Sequence, residues 1–177
     1  YEQVKKPLSL IEIGTSAGLQ LVWDQYRYNY GQQGSYGNVY SDVLITSNIH
    51  GDRSPFLLLE SPPVAERIGI DLHVIDLKKE DDRRWMEALI WPEHHDRRQL
   101  FAQAARRLEQ MPVRLIEGDG VKLLAEIVAQ VPSDTVVCIF HTHVANQMSE
   151  EAKHMLMEQI HEIGCQRDLF HVYNNMW

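Results

Sequence analysis

At 177 residues, 44% of them hydrophobic, the chain has the make-up of one globular domain with a substantial core and is too short for two ordinary domains. A formal net charge of -8 excludes a general nucleic-acid grip, which needs Lys and Arg clustered on one face to displace counterions. No apolar run approaches the roughly 20 residues of a membrane span and no signal-peptide pattern opens the chain; two cysteines make no disulfide framework, so reduced thiols in a cytoplasmic protein are expected.

Leu8 to Trp23 reads as strand, Gly-containing turn and helix. Leu8, Leu10, Ile11 and Ile13 suit a buried strand, Gly14 and Gly18 bracket the turn, and Leu19, Val22, Trp23 and Tyr26 follow at helical spacing. A helix start just beyond a strand end is a seat for a small-molecule ligand. From 25 to 65 the pattern breaks into an insertion: five tyrosines interleaved with Gly31, Gly34 and Gly37, then two apolar stretches, Val43 to Ile49 and Phe56 to Leu59, that suit a β-hairpin. Such an excursion is either a lid over a substrate or an ornament packed on the sheet.

Ile68 to His73 reads as a second core strand ending in an acid. A helix starts at Glu80 with Asp81 and Asp82 in its first turn and Trp85 and Leu89 on its apolar side, and Pro92 stops it. The next helix carries Phe101, Ala104, Ala105 and Leu108 as a buried stripe. Val113 to Glu117 forms a strand closed by Gly118-Asp119-Gly120, and a helix with Val121, Leu124, Ala125 and Val128 on one face follows. Thr135 to Phe140 is the most continuous apolar strand, which suggests a central place in a sheet covered on both faces. Ser149 N-caps a last helix with Leu156, Ile160 and Ile163 inward, and Asp168 to Tyr173 reads as a fifth strand. The alternation implies an α/β fold, a doubly wound and mostly parallel sheet with helices on both faces and a hairpin insertion. The chain opens at Tyr1 without Met and closes at Trp177 just after a strand, as a domain cut from a longer protein would.

In open parallel sheets ligands bind beyond the carboxyl ends of the strands, here Gly14 to Gly18, Asp71, Asp119 and His141 to His143. Glu12-Ile13-Gly14-Thr15-Ser16-Ala17-Gly18 resembles the first motif of the S-adenosylmethionine methyltransferases, with Ser16 at the place of the middle Gly. The resemblance implies a cofactor site made by Glu12, Gly14, Ser16 and Gly18, with Asp71 on the ribose hydroxyls and Asp119 on the adenine amine. A closer resemblance runs over nearly the whole chain. Glu12 to Leu19 with Asp24-Gln25-Tyr26, Gly69-Ile70-Asp71-Leu72 with Asp81-Asp82, Trp91-Pro92-Glu93-His94, Gly118-Asp119 and Phe140-His141-Thr142 are similar to the uncharacterised bacterial family DUF2332. That resemblance implies a methyltransferase-type Rossmann domain preceded, in the family, by an N-terminal segment that is missing here.

On this reading the cofactor is S-adenosylmethionine, the methyl acceptor is unknown, and His141 or His143 is the candidate base, since a neutral imidazole can take a proton near pH 7. Two other classes fit the same residues. Gly14-Thr15-Ser16-Ala17-Gly18 is also a Gly-x-Ser-x-Gly nucleophile elbow, and a hydrolase triad of Ser16, Asp119 and His141 or His143 can be drawn. A non-catalytic nucleotide-binding or interaction module would use the same scaffold without transfer. His141-Thr142-His143 and Glu93-His94-His95-Asp96 lack the spacing of a complete ligand set, so no metal is expected.

Overall fold

The computed structural model describes residues 4–51 and 61–177. The chain divides into two compact units, one of Tyr1–Leu21, Pro63–Ile75 and Pro112–Trp177, the other of Val22–Pro62 and Asp76–Met111. The second unit gathers the stretch read as an insertion together with the helical segment that follows the second core strand.

Along the chain the elements are β1 (Leu8–Ile13), a 3-10 segment (Leu19–Gln25), β2 (Arg27–Asn29), β3 (Ser35–Gly37), β4 (Leu44–Thr46), β5 (Val64–Asp71), α1 (Glu80–Ala88), α2 (His95–Glu109), β6 (Arg114–Glu117), α3 (Gly120–Gln130), β7 (Val136–His141), α4 (Glu150–Gly164) and β8 (Leu169–Tyr173). The first unit is built on a five-stranded, wholly parallel sheet in the order β6-β5-β1-β7-β8. This is a Rossmann-like α/β arrangement. β1 holds the centre and all six of its residues are buried; β7, expected centrally, lies beside it with two strand neighbours.

Strand alternation sends Ile11 and Ile13 of β1, Ile68 and Ile70 of β5, and Val137 and Ile139 of β7 into one core with Leu124 and Val128 of α3 and Leu156 and Ile160 of α4. Each such side chain contributes about 1.5–3 kcal/mol by leaving water. The cap expected at Ser149 forms, its side chain accepting from Ala152 N at the start of α4, and Asp119 also caps α3, accepting from Val121 N and Lys122 N.

In the second unit, β3-β2-β4 make a small sheet in which β2 pairs antiparallel with β3 and parallel with β4. The expected hairpin partner Phe56 to Leu59 lies outside the described residues. The tyrosines serve this unit internally: the Tyr28 hydroxyl donates to Trp23 O at 2.8 Å and the Tyr36 hydroxyl to Gln33 O at 2.6 Å.

Two local readings are corrected. The helix expected after Gly18 is a 3-10 segment broken at Val22, which takes non-helical angles (φ -111°, ψ 25°). The Trp23 carbonyl is occupied by Tyr26 N and the Tyr28 hydroxyl, so no regular ladder continues. Trp85 and Leu89 do not form a buried side of α1: they are 61% and 59% exposed, and α1 buries none of its residues. That helix is held by polar contacts instead, with Arg83 on Glu109 at 2.5 Å, Arg84 on Glu80, and Asp82 Oδ2 accepting from Asp76 N at 2.9 Å.

Close packing between β5 and the turn after β1 leaves no room at Gly69, where an added Cβ would meet Thr15 Oγ1 at 2.5 Å and Thr15 Cβ at 2.8 Å. Gly69→Ala should therefore destabilise the chain by about 1–3 kcal/mol through overpacking, read as a lower urea midpoint with an unchanged slope.

Candidate functional site

The chain leaves β1 to build β5 and β6 on one side, then returns to build β7 and β8 on the other. A crevice opens at such a reversal, beyond the strand ends. A cavity of about 510 Å³ lies there, lined by Gly14 and Ser16 after β1, Asp71 at the end of β5, Asp119 at the start of α3, Thr142 and His143 after β7, and Gln147, Met148 and Ser149 before α4.

The turn after β1 is bolted to β5. Gly14 N and Thr15 N both donate to Ile70 O, at 2.8 and 3.2 Å, and Ser16 N donates to Asp71 Oδ2 at 2.7 Å. Gly18 N closes the turn on Thr15 O at 2.9 Å. Ser16 is left-handed (φ 54°), a conformation that costs a non-glycine residue energy and that the short bond to Asp71 holds in place. Gly14 (φ 76°) must be glycine on two counts, because a Cβ there would also meet Val144 at 2.7 Å.

Four of the five amide N–H groups from Gly14 to Gly18 thus have acceptors within the protein. A phosphate seat needs such groups free. The carboxylates on the cavity wall, Asp71 and Asp119, repel a phosphate and attract hydroxyl, amine or cationic groups. Each already has structural partners. Asp71 Oδ1 accepts from His73 N at 3.2 Å, and Asp119 Oδ1 caps α3 while its Oδ2 lies 3.3 Å from Lys122 Nζ. Glu117, not singled out from sequence, ties the loop after β5 to β6 by accepting from Val74 N at 3.2 Å.

Of the residues read from sequence, Gly14, Ser16, Asp71, Asp119 and His143 line the cavity, and Glu12, Gly18 and His141 do not. Gly18 packs toward Leu115, where its Cβ would stand 3.0 Å from Cδ2. Strand parity explains the other two. His141 shares a face with Val137 and Ile139; it is fully buried, its Nε2 lies 3.1 Å from His171 Nε2, and Tyr173 stacks on its ring at 5.8 Å. Burial lowers the pKa of both imidazoles, that of His171 to about 4, so the pair is neutral and one Nε2–H donates to the other ring. Ser16, Asp119 and His143 share the cavity, but the hydrogen bonds of a hydrolase triad are not formed among the described residues. His141 Nδ1 is buried without a partner, the nitrogen near His143 Nδ1 belongs to the Asn175 amide, and neither ring has the carboxylate that orients a triad histidine. Among the described residues no group of three or more His, Cys, Asp or Glu is placed to hold a metal, and no helix is long and apolar enough to cross a membrane.

Glu12 points to the sheet face opposite Ile13 and is 2% exposed. Thr15 Oγ1 donates to its Oε2 at 2.6 Å. Burial, with a smaller push from Asp71, raises its pKa from 4.5 to about 8, so the carboxyl is protonated at neutral pH. The folded chain then holds a proton that the unfolded chain releases. Stability from this group is full below about pH 4.5 and is lost as the pH rises through about 8. The unfolding free energy read from urea titrations should fall across that window, by roughly 1.4 kcal/mol per pH unit at most, and Glu12→Gln should flatten the slope.

No curated protein matches the chain and no solved structure does. The family described as an uncharacterized protein conserved in bacteria, DUF2332, matches residues 1–176, and the chain belongs to that family.

Proposed function

We propose that the chain is a methyltransferase-type domain that binds S-adenosylmethionine in the strand-end cavity and passes its methyl group to an acceptor yet to be identified. The observation that carries the reading is the cavity wall itself: Asp71 and Asp119 line it with a turn four of whose five amides are already engaged, a surface suited to a phosphate-free, cationic nucleoside and unsuited to a dinucleotide or nucleoside triphosphate. The residues fit the group in kind. Asp71 and Asp119 each keep lone pairs for hydroxyl or amine donors, Gly14 and Ser16 form the floor, and the net negative wall favours a sulfonium. When bound, that cofactor supplies an already electrophilic methyl group, which leaves alignment and exclusion of water to the protein. Glu12 and Gly18 act from behind the wall, supporting the turn through Thr15.

A second reading, a module that holds a nucleoside without transferring from it, is favoured by one observation: His141, one of the two candidate bases, is buried against His171. Single-turnover transfer of a labelled methyl group separates the two.

Thermal-shift titration with S-adenosylhomocysteine, NAD and ATP tests the ligand. The homocysteine compound at about 100 times its Kd should add about 2.7 kcal/mol of stability, with no response to the other two. Asp119→Asn keeps the oxygen that caps α3 and removes the charge, so it should leave the urea midpoint near wild type while weakening S-adenosylhomocysteine by about tenfold or more. Equal affinity in that variant would remove Asp119 from the site, and a response to NAD or ATP alone would overturn the cofactor.

A further inference from the structure

His143 and Asn175 are both left-handed, at φ 63° and 52°, and they meet. The parallel pairing that sets His141 opposite Tyr173 carries the residues after β8 alongside those after β7. There Asn174 Oδ1 accepts from His143 N at 2.8 Å, and Asn175 Nδ2 lies 3.2 Å from His143 Nδ1. Two consecutive side chains therefore fix the backbone and the ring of one histidine on the cavity wall.

The contact selects a tautomer. An amide nitrogen only donates, so His143 Nδ1 accepts, and a neutral imidazole that accepts at Nδ1 carries its proton on Nε2. We infer that Asn174 and Asn175 are positioning residues that hold His143 as the Nε2–H tautomer, a hydrogen-bond donor to a carboxylate or carbonyl oxygen of the ligand and not a base. The inference rests on the cavity being the ligand site. It replaces the role expected of His143 from sequence, since the nitrogen that would have to take a proton already bears one. It also divides the cavity by polarity: the Asp71 and Asp119 side takes donors, and the His143 side, with Thr142, Gln147 and Ser149 beside it, takes an acceptor.

The imidazole nitrogens report this directly. Long-range proton–nitrogen correlation spectra of the labelled chain at about pH 8, above the ordinary histidine pKa, should show His143 as Nε2–H, with the resonance assigned by its loss in His143→Gln. Asn175→Asp places an acceptor against Nδ1 and should convert the ring to Nδ1–H. An Nδ1–H wild type, or an unchanged tautomer in Asn175→Asp, would overturn the inference. The donor role is read with S-adenosylhomocysteine as probe. His143→Ala should lose about tenfold in affinity, the worth of one hydrogen bond, and His143→Gln, which keeps an N–H, should lose much less. Equal losses in the two variants would refute the donor role. Failure of the wild-type chain to bind the probe would refute the site while leaving the tautomer result standing.

Discussion

The bond from Ser16 N to the Asp71 carboxylate, 2.7 Å long, is the constraint on which the site depends. It joins the turn after β1 to the end of β5, and the two N–H groups before it are tied to Ile70 O in the same pair of strands. A donor held by an ionised acceptor is stronger than a neutral pair, which is what a left-handed serine needs if it is to stay in that conformation. Ile75 N returns a bond to Ser16 O at 3.1 Å, so the segment after β5 is fastened to the turn it supports. The same bond bears on what the cavity can take. An amide that satisfies an aspartate is not offered to a phosphate.

Thr15 does the complementary work on the side away from the cavity. Its hydroxyl satisfies the buried Glu12, and its side chain fills the space that Gly69 leaves open. A charged Glu12 there would be expensive; a protonated one bonded to Thr15 costs far less and fixes the turn from below. Successive residues of one turn thus serve two acids of opposite kind, Glu12 neutral in the interior and Asp71 at the cavity. The position of each acid on its strand decides which it is.

The strands were legible because their signal is local. Leu8–Ile13 and Val136–His141 are largely apolar runs, partly β-branched and bounded by turn formers, and Ser149 announces the helix it caps. What escaped depends on partners distant in sequence. Trp85 on α1 and Leu89 just past its end lie four residues apart, but periodicity identifies an apolar side without saying that anything covers it. The break at Val22 coincides with capture of the Trp23 carbonyl by Tyr28, a bond across the start of β2. The assignment of His141 was recoverable from the sequence: counting in twos from Ile139 turns it to the core. The pairing of Asn175 with His143 was not, since only the register of β7 with β8 brings the two together.

The opposition between helix cap and ligand contact, natural when an aspartate is read from sequence, dissolves in the geometry. A carboxylate offers about four lone-pair directions. Asp119 spends one oxygen on the first turn of α3, and Asp71 accepts one bond from a backbone N–H at each oxygen, which leaves acceptor capacity toward the cavity in both cases. Those structural bonds fix the orientation of the acids before any ligand arrives, so binding need not bear the entropy of ordering them. The same logic applies on the opposite wall, where Asn174 and Asn175 order His143. Both walls are built from residues whose first task is to hold the chain, and their remaining hydrogen-bonding capacity, acceptor on one side and donor on the other, defines what the cavity can hold.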